Sequence, residues 1–464
     1  MNDYDVVVIG AGPGGYVAAI RAGQLGLKTA IVEKDNKLGG TCLLRGCIPT
    51  KALLHSADLL DDLRHAKDVG VIAGEVGFDF ALVQKARQKV VDKSAAGVTY
   101  LMKQNKVDVH TGIGRLKDGH TVEVTGANGT TTLSAKSIIV ATGSVPKSIP
   151  IARVDGKHIV TSNELLEIAA PPKSLLVLGA GAVGVEFASV YNRFGTDCTI
   201  VEMLDRLLPI EDAELGAELF KSFRKRGITS LVSTKLEKVI VKDDEVEATV
   251  VGPQGSQTLK ADVVLVAVGR APVTASLGFE QVGLEIDKQG YIAVDGMMRT
   301  AVPGIFAIGD VVRTPALAHV ASAEALVAVD HIAGRPVEAL NYTHTPSATY
   351  CDPEVAAVGL SEADAKAKGY TVKVGRFPFS ALGKARILGK LEGWVKIVTD
   401  SRYGEILGVH IIGPHATDLI AEAVVALRLE CTAEELARTM HAHPTLPEAI
   451  MEAAHAAVDK PIHL

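Results

Sequence analysis

One pattern occurs twice in this chain, and few folds accommodate both copies. Residues 4–15 read YDVVVIGAGPGG and residues 174–184 read SLLVLGAGAVG, each a short β-rich apolar run ending in G-x-G-x-x-G. The glycines are Gly10, Gly12 and Gly15 in the first copy and Gly179, Gly181 and Gly184 in the second. A helical pattern follows each copy (YVAAIRAGQLG, VEFASVYNRFG), and then a strand that ends in an acid, Glu33 or Glu202. The offset from first glycine to acid is the same in both, 10 to 33 and 179 to 202. Strand, glycine turn, helix and strand in this register predict a β-α-β unit in each copy.

The chemistry of such a unit is specific. The first glycine permits the tight turn, the second lets backbone approach a pyrophosphate, and the third lets helix pack on strand. The helix N-terminus offers unpaired N–H groups to the phosphates, and the acid accepts hydrogen bonds from ribose hydroxyls. Two copies predict two dinucleotide sites, or a duplicated unit that has lost one. A carboxylate at the second ribose repels a 2′-phosphate, so Glu202 favours NAD over NADP.

Three more apolar runs end in Gly-containing turns: SIIVATGS (137–144), VVLVAVGR (263–270) and VPGIFAIGD (302–310). The expected fold class is α/β, with two Rossmann-like dinucleotide-binding domains and a C-terminal α+β domain. The expected boundaries are 1–147 for the first dinucleotide domain, 148–271 for the second and 272–343 for a return segment completing the first sheet. The last domain is expected at 344–464, where the strands GWVKIVTD and GEILGVHIIG precede the helix TDLIAEAVVALRLE. A length of 464 residues suits several domains rather than one. A net charge of −6 gives no reason to expect nucleic acid. The apolar runs are short and broken, so no membrane span is expected. Five cysteines suit a reducing compartment, and the immediate entry into a strand predicts no targeting peptide; the expected location is cytoplasmic.

Two of those cysteines lie close together in GGTCLLRGCIP (39–49), Cys42 and Cys47. As metal ligands they lack a partner pair, since no other C-x-x-C or clustered Cys/His set exists. They also fit buried core cysteines or a redox disulfide. In regular helix residues five apart lie beyond the ~7 Å Cα limit for bridging, so the Gly-rich lead-in and Pro49 are expected to tighten the geometry. Their place just after the acid of a dinucleotide unit favours the redox reading.

GGTCLLRGCIPTK resembles the redox-active signature of the pyridine nucleotide–disulfide oxidoreductases, G-G-x-C-x-x-x-x-C-x-P. The resemblance continues through ATGS, AIGD, LAH and HAHPTLPE, along essentially the whole chain. Within the family it is greatest to the branch that oxidises dihydrolipoamide, the E3 component of 2-oxo acid dehydrogenase complexes. It implies FAD in the first unit, NAD in the second and a homodimer whose active site is shared across subunits. The implied partners are a lipoyl domain and the E2 core of a 2-oxo acid dehydrogenase complex, or the glycine-cleavage lipoyl protein. No lipoyl domain is expected ahead of the FAD unit, so the lipoyl group is expected from another chain.

The resemblance also implies residue roles. Cys47 becomes the thiol nearest the flavin and Cys42 the interchange thiol. Lys51 is expected near the flavin, paired with Glu186. FAD contacts fall on Glu33, Lys51, Gly114, Thr142, Gly143, Ser144, Asp310, Ala316, Leu317, Ala318 and His319, and NAD contacts on Glu202, Val239 and Gly269. His443 and Glu448 form a base dyad supplied by the other subunit. Thr445 and Glu448 also fit a T-x-x-E capping box, which would make the acid a helix cap. His441 carries no expected role, and Cys198, Cys351 and Cys431 are expected to be structural.

Three positions depart from the commonest family pattern: Arg45, Val320 and Pro447. Arg45 introduces a positive charge that is expected to lower a thiol pKa. Alternatives within the family act on other disulfides. A glutathione-type reductase would carry basic residues where this chain has Glu202, and a mercuric reductase a C-terminal cysteine pair. A non-catalytic flavoprotein in a complex is a further alternative, and it does not explain why both cysteines and the histidine are kept.

Overall fold

The repeated glycine units fold as two parallel sheets, each in its own compact unit of the chain. These are described from a computed structural model covering residues 3–464. The first unit gathers the chain up to Leu53, Ala81–Lys147 and Gly269–Tyr342. The second gathers Leu54–Phe80, Ser148–Val268 and Thr343–Leu464.

In the first unit, strand Tyr4–Ile9 lies between Thr29–Glu33 and the end of Gly129–Val140, parallel to both. Asp108–Thr111 extends one edge, and Ile305–Ala307 joins the other in register with Ile138–Val140. Near-continuous apolar runs are what a sheet covered on both faces requires, and Val6, Val7, Val8, Ile138, Ile139 and Val140 are fully buried. Gly129–Val140 leads a double life: its first half pairs antiparallel with Thr121–Gly126, which in turn pairs with Ile113–Asp118. Helices Pro13–Gln24 and Ala318–Ile332 pack on the parallel sheet through Ala18, Ala19, Ala22, Ala325 and Ala328.

The second unit repeats the motif with strands in the order Thr229–Leu231, Asp197–Val201, Ser174–Leu178, Val263–Val266 and Ile159–Val160. A three-stranded antiparallel sheet, Lys235–Lys242, Glu245–Gly252 and Gly255–Ala261, packs in the same core. The C-terminal part is a five-stranded antiparallel sheet whose central strand Ile406–Gly413 is buried at every residue. Helices Ala416–Arg428, Ala433–Arg438 and Glu448–Val458 pack into its core. No helix among the described residues is long and apolar enough to cross a membrane.

One charge in this unit was not foreseen. Lys396, on strand Trp394–Asp400, is 1% exposed and bonds Asp212 at 3.0 Å, Glu214 at 2.8 Å and Glu362 at 3.1 Å. Burial opposes the ammonium, yet the hydrogen bonds to Glu214 and Asp212 hold its pKa above the usual value. Asp212 also caps helix Ala213–Lys225 through the Glu214 N–H. Removing one member leaves buried charge uncompensated, so Lys396→Met is expected to cost about 3–5 kcal/mol, read as an earlier unfolding midpoint in denaturant.

Candidate active site

The two glycine loops adopt the same geometry. Gly10 and Gly179 have φ of +101° and +103°, and a Cβ at either would lie 2.3 or 2.5 Å from the carbonyl oxygen of Ala141 or Ala267. A Cβ at Gly15 would fall 1.8 Å from Gly10 O and one at Gly184 2.0 Å from Gly179 O, so helix and loop meet there without room for a side chain. The middle glycines behave differently. A Cβ at Gly12 would meet nothing nearer than Gly40 Cα at 4.0 Å, and one at Gly181 nothing within 4 Å. Each is the N-cap of its helix, with no side-chain cap and no acid in the first turn. Free N–H groups facing open space beside a glycine are what a pyrophosphate needs, so both loops fit a dinucleotide.

The terminal acids do more than await a ribose. Glu33 accepts the N–H of Ala11 at 2.8 Å and of Asp35 at 2.9 Å. Glu202 accepts those of Ala180 at 2.7 Å and Leu204 at 2.8 Å. Each carboxylate thus clamps its own glycine loop and keeps lone pairs for hydroxyl donors, since an ionised carboxylate accepts about four hydrogen bonds.

Around the first loop, Thr142 Oγ1 donates to Val273 O at 2.6 Å, and Gly143 accepts the Val273 N–H at 2.9 Å. Ser144 donates its hydroxyl to Asp310, which stands on the turn Gly309–Val311. Gly114 packs its backbone against Ile9 and Val32 at the sheet. Ala316 and Leu317 lead into helix Ala318–Ile332, and His319 lies in its first turn. Val239 packs its side chain toward the core of the second dinucleotide sheet. Gly269 belongs to the first unit, apart from Gly179, Gly181, Gly184 and Glu202 in the second.

The cysteine segment is fastened to the first loop. Gly39 N–H donates to Ala11 O at 2.9 Å, and a Cβ on Gly40 would lie 2.5 Å from Gly12 Cα. This explains the glycine pair ahead of Cys42: backbone must lie on backbone. Gly40, at φ +57°, has neither the space nor the conformation for a side chain. Gly40→Ala is therefore expected to lose about 1–3 kcal/mol and to shed bound FAD on dilution, read by thermal melting and flavin fluorescence.

Cys42 sits on the short helix Gly40–Arg45 and Cys47 opens helix Cys47–Arg64. The break between them is Gly46, at φ −145° and ψ −111°, rather than Pro49, which lies inside the second helix. Both cysteines are thiols here. The hydrogen bond to the Cys47 sulfur pushes the Cys42 thiol far up, burial and the Cys47 charge add to it, and Lys51 pulls the other way. The Arg45 guanidinium pairs with Asp35, and the cation that lowers the Cys42 pKa is Lys51.

Glu186, 5% exposed on the second glycine helix, accepts the Tyr350 N–H at 2.9 Å. Lys51 stands in the first unit and Glu186 in the second. His443 and Glu448 do meet, Nδ1 to Oε1 at 2.9 Å, which leaves Nε2 for proton exchange. The other oxygen of Glu448 accepts the Thr445 N–H at 2.7 Å, while the Thr445 hydroxyl turns to Ala442 O. Half a capping box and the dyad therefore share one carboxylate, an oxygen each. Burial works against the Glu448 anion, but the Thr445 N–H and His443 hold its pKa below the ordinary value.

A family model described as pyridine nucleotide-disulphide oxidoreductase matches residues 4–325, and its dimerisation domain matches 345–454. The chain belongs to the pyridine nucleotide-disulphide oxidoreductase family. It is 45% identical to the dihydrolipoyl dehydrogenase of Bacillus subtilis (strain 168), covering 100% of this chain and 99% of that one. It is 49% identical to that of Chlorobaculum tepidum, over 97% and 96% of the two chains. The crystal structure of LpdA from Mycobacterium tuberculosis superposes with a TM-score of 0.90 at 30% identity, covering 97% of this chain and 99% of that one.

Pyridine nucleotide-disulphide oxidoreductases use FAD and NAD, and the dimerisation domain supports a homodimer. Two residues beside the first loop escaped the sequence reading. Arg270 donates from Nε to Ser144 Oγ at 2.6 Å and from Nη2 to Ser144 O at 2.7 Å, with Asp310 at 3.7 Å. It is the one charged residue of VVLVAVGR, which was a readable signal. Glu324, fully buried, accepts the Gly309 N–H at 2.6 Å and the Tyr342 hydroxyl at 2.9 Å, fixing the turn that carries Asp310. Its place in an alanine-rich helix gave no hint of that partner.

Proposed function

We propose that this chain oxidises dihydrolipoyl groups carried on a partner protein and reduces NAD to NADH. The observation that carries the reading is the thiol pair fastened, through Gly39 and Gly40, onto the first glycine loop. FAD would be held by Gly10, Gly12, Gly15, Glu33, Lys51, Gly114, Thr142, Gly143, Ser144, Asp310 and the 316–319 segment. NAD would be held by Gly179, Gly181, Gly184, Glu202, Val239 and Gly269. Domain limits follow the same reading: 1–147 and 272–343 for FAD, 148–271 for NAD and 344–464 for dimerisation. When bound, FAD carries the electron pair from the cysteine sulfurs to NAD.

The protein's own steps are thiol–disulfide exchange. A substrate thiol gives its proton to His443 of the other subunit, and the thiolate attacks Cys42 Sγ of the Cys42–Cys47 disulfide. The protein S–S bond breaks, Cys47 leaves as thiolate and a mixed disulfide joins the substrate to Cys42. The second substrate thiol then attacks the substrate sulfur of that bond. The lipoyl ring closes, and Cys42 leaves with the second proton. A Cys42 thiol pushed up by its neighbour suits the sulfur that leaves with the second proton. Glu448 orients the imidazole and supports its charge, while Lys51 offsets negative charge at the thiols. The partner is the lipoyl domain of a 2-oxo acid dehydrogenase complex with its E2 core, or a glycine-cleavage lipoyl protein, in the cytoplasm.

The test is turnover of the FAD-loaded dimer with dihydrolipoamide, offered NAD or NADP. NADH formation with NADP disfavoured at least about 100-fold is expected from the Glu202 carboxylate. No turnover in protein that binds FAD and forms the Cys42–Cys47 disulfide would remove the lipoyl assignment.

A further inference from the structure

His441 stands two residues before His443 and has no part in the steps above. It is nonetheless the better anchored of the two. Its side chain is 6% exposed against 77% for His443. Nδ1 meets the carbonyl oxygen of Thr439 at 2.8 Å, and Nε2 meets the Glu422 carboxylate at 2.7 Å. Each ring nitrogen thus has an oxygen partner on a different element, which fixes both the position and the rotation of the ring.

The placement of these partners matters. Glu422 lies on helix Ala416–Arg428, which buries Leu419, Ile420 and Ala423 in the C-terminal core. Thr439 is the C-cap of helix Ala433–Arg438. The stretch 439–447, which bears His443, forms neither helix nor strand, so side chains must fix it. Its far end is held where Glu448 takes the Thr445 N–H and His443 Nδ1. Its near end is held by His441. An exposed base thus lies between two carboxylate anchors, Glu448 directly and Glu422 through His441.

We propose that the His441–Glu422 pair is a positioning device that holds His443 in place for proton transfer. The inference rests on the assignment of His443 as the base. A base displaced by about 1 Å loses about 100-fold in rate, so a tether at one end of an irregular segment carries real kinetic weight.

The experiment compares His441→Ala, Glu422→Ala, the double variant and His443→Gln in the FAD-loaded dimer. Two rates are read: NAD reduction by dihydrolipoamide, which needs the base, and NADH-driven reduction of ferricyanide, which does not. His441→Ala and Glu422→Ala are each expected to lower kcat with dihydrolipoamide about 10–100-fold, with ferricyanide reduction kept within about twofold. The double variant should be no slower than the worse single by more than about twofold, since both changes remove one device. Glu422→Gln keeps the shape without the charge, and a smaller loss in the same direction is expected if an alanine variant does not fold. Unchanged dihydrolipoamide turnover in the His441 and Glu422 variants, with His443→Gln defective, would overturn the positioning role and leave the base assignment standing. Losses equal in both assays, or additive in the double variant, would also overturn it as a mere fold defect. Full turnover in His443→Gln would remove the base assignment and the inference with it.

Discussion

Cys47→Ser is expected to lower NAD reduction by dihydrolipoamide at least about a thousandfold, because a hydroxyl cannot form or release a disulfide. FAD binding should persist, since the loop contacts of this segment come from Gly39 and Gly40. The same change should alter Cys42. Its thiol is pushed up first by the hydrogen bond to the Cys47 sulfur and further by burial and the Cys47 charge. Removing that sulfur takes away two of the three causes, so the Cys42 pKa should fall. A lower pKa means more thiolate at a given pH, and Cys42 should alkylate faster than in the reduced native protein. Slower alkylation, or turnover within about tenfold of the native rate, would contradict the assignment of the pair.

His443→Gln should cost about 10²–10⁴ in dihydrolipoamide oxidation, the range that a positioned base supplies. Glutamine keeps a polar group near Glu448 but accepts no proton. Glu448, held below the ordinary carboxylate range by the Thr445 N–H and His443, remains anionic near neutral pH and would then face a neutral partner. Ferricyanide reduction by NADH should stay near the native rate, because no thiol proton moves in it. Parallel losses in both assays would instead point to a damaged dimer.

Much of this was legible because it was local. Both β-α-β units, the strand GWVKIVTD and the helix TDLIAEAVVALRLE appear where glycine turns and apolar periodicity put them, at Trp394–Asp400 and Ala416–Arg428 in the last two cases. The antiparallel strands Ile113–Asp118 and Thr121–Gly126 were not foreseen, since their mixed surfaces carry only a short alternation. The break at Gly46 was missed because proline drew attention, whereas a glycine with unusual φ and ψ does the work. The Asp35 partner of Arg45 was not legible, since it lies ten positions earlier and sequence order does not show which anion a guanidinium meets. Lys396 was invisible for the same reason at longer range: Asp212 is 184 positions away. His441 beside His443 was visible as a motif, but its role depends on Glu422, 19 positions off.

Counting thiols decides whether the Cys42–Cys47 disulfide takes the electrons of dihydrolipoamide. The oxidised, FAD-loaded protein would be mixed anaerobically with one equivalent of dihydrolipoamide, without NAD, then alkylated and mapped by mass spectrometry. Cys42 and Cys47 are expected to become alkylated together while lipoamide forms in equal amount, with Cys198, Cys351 and Cys431 unchanged. Lipoamide formation with Cys42 and Cys47 still unreactive, or new label on one of the other three cysteines, would contradict it.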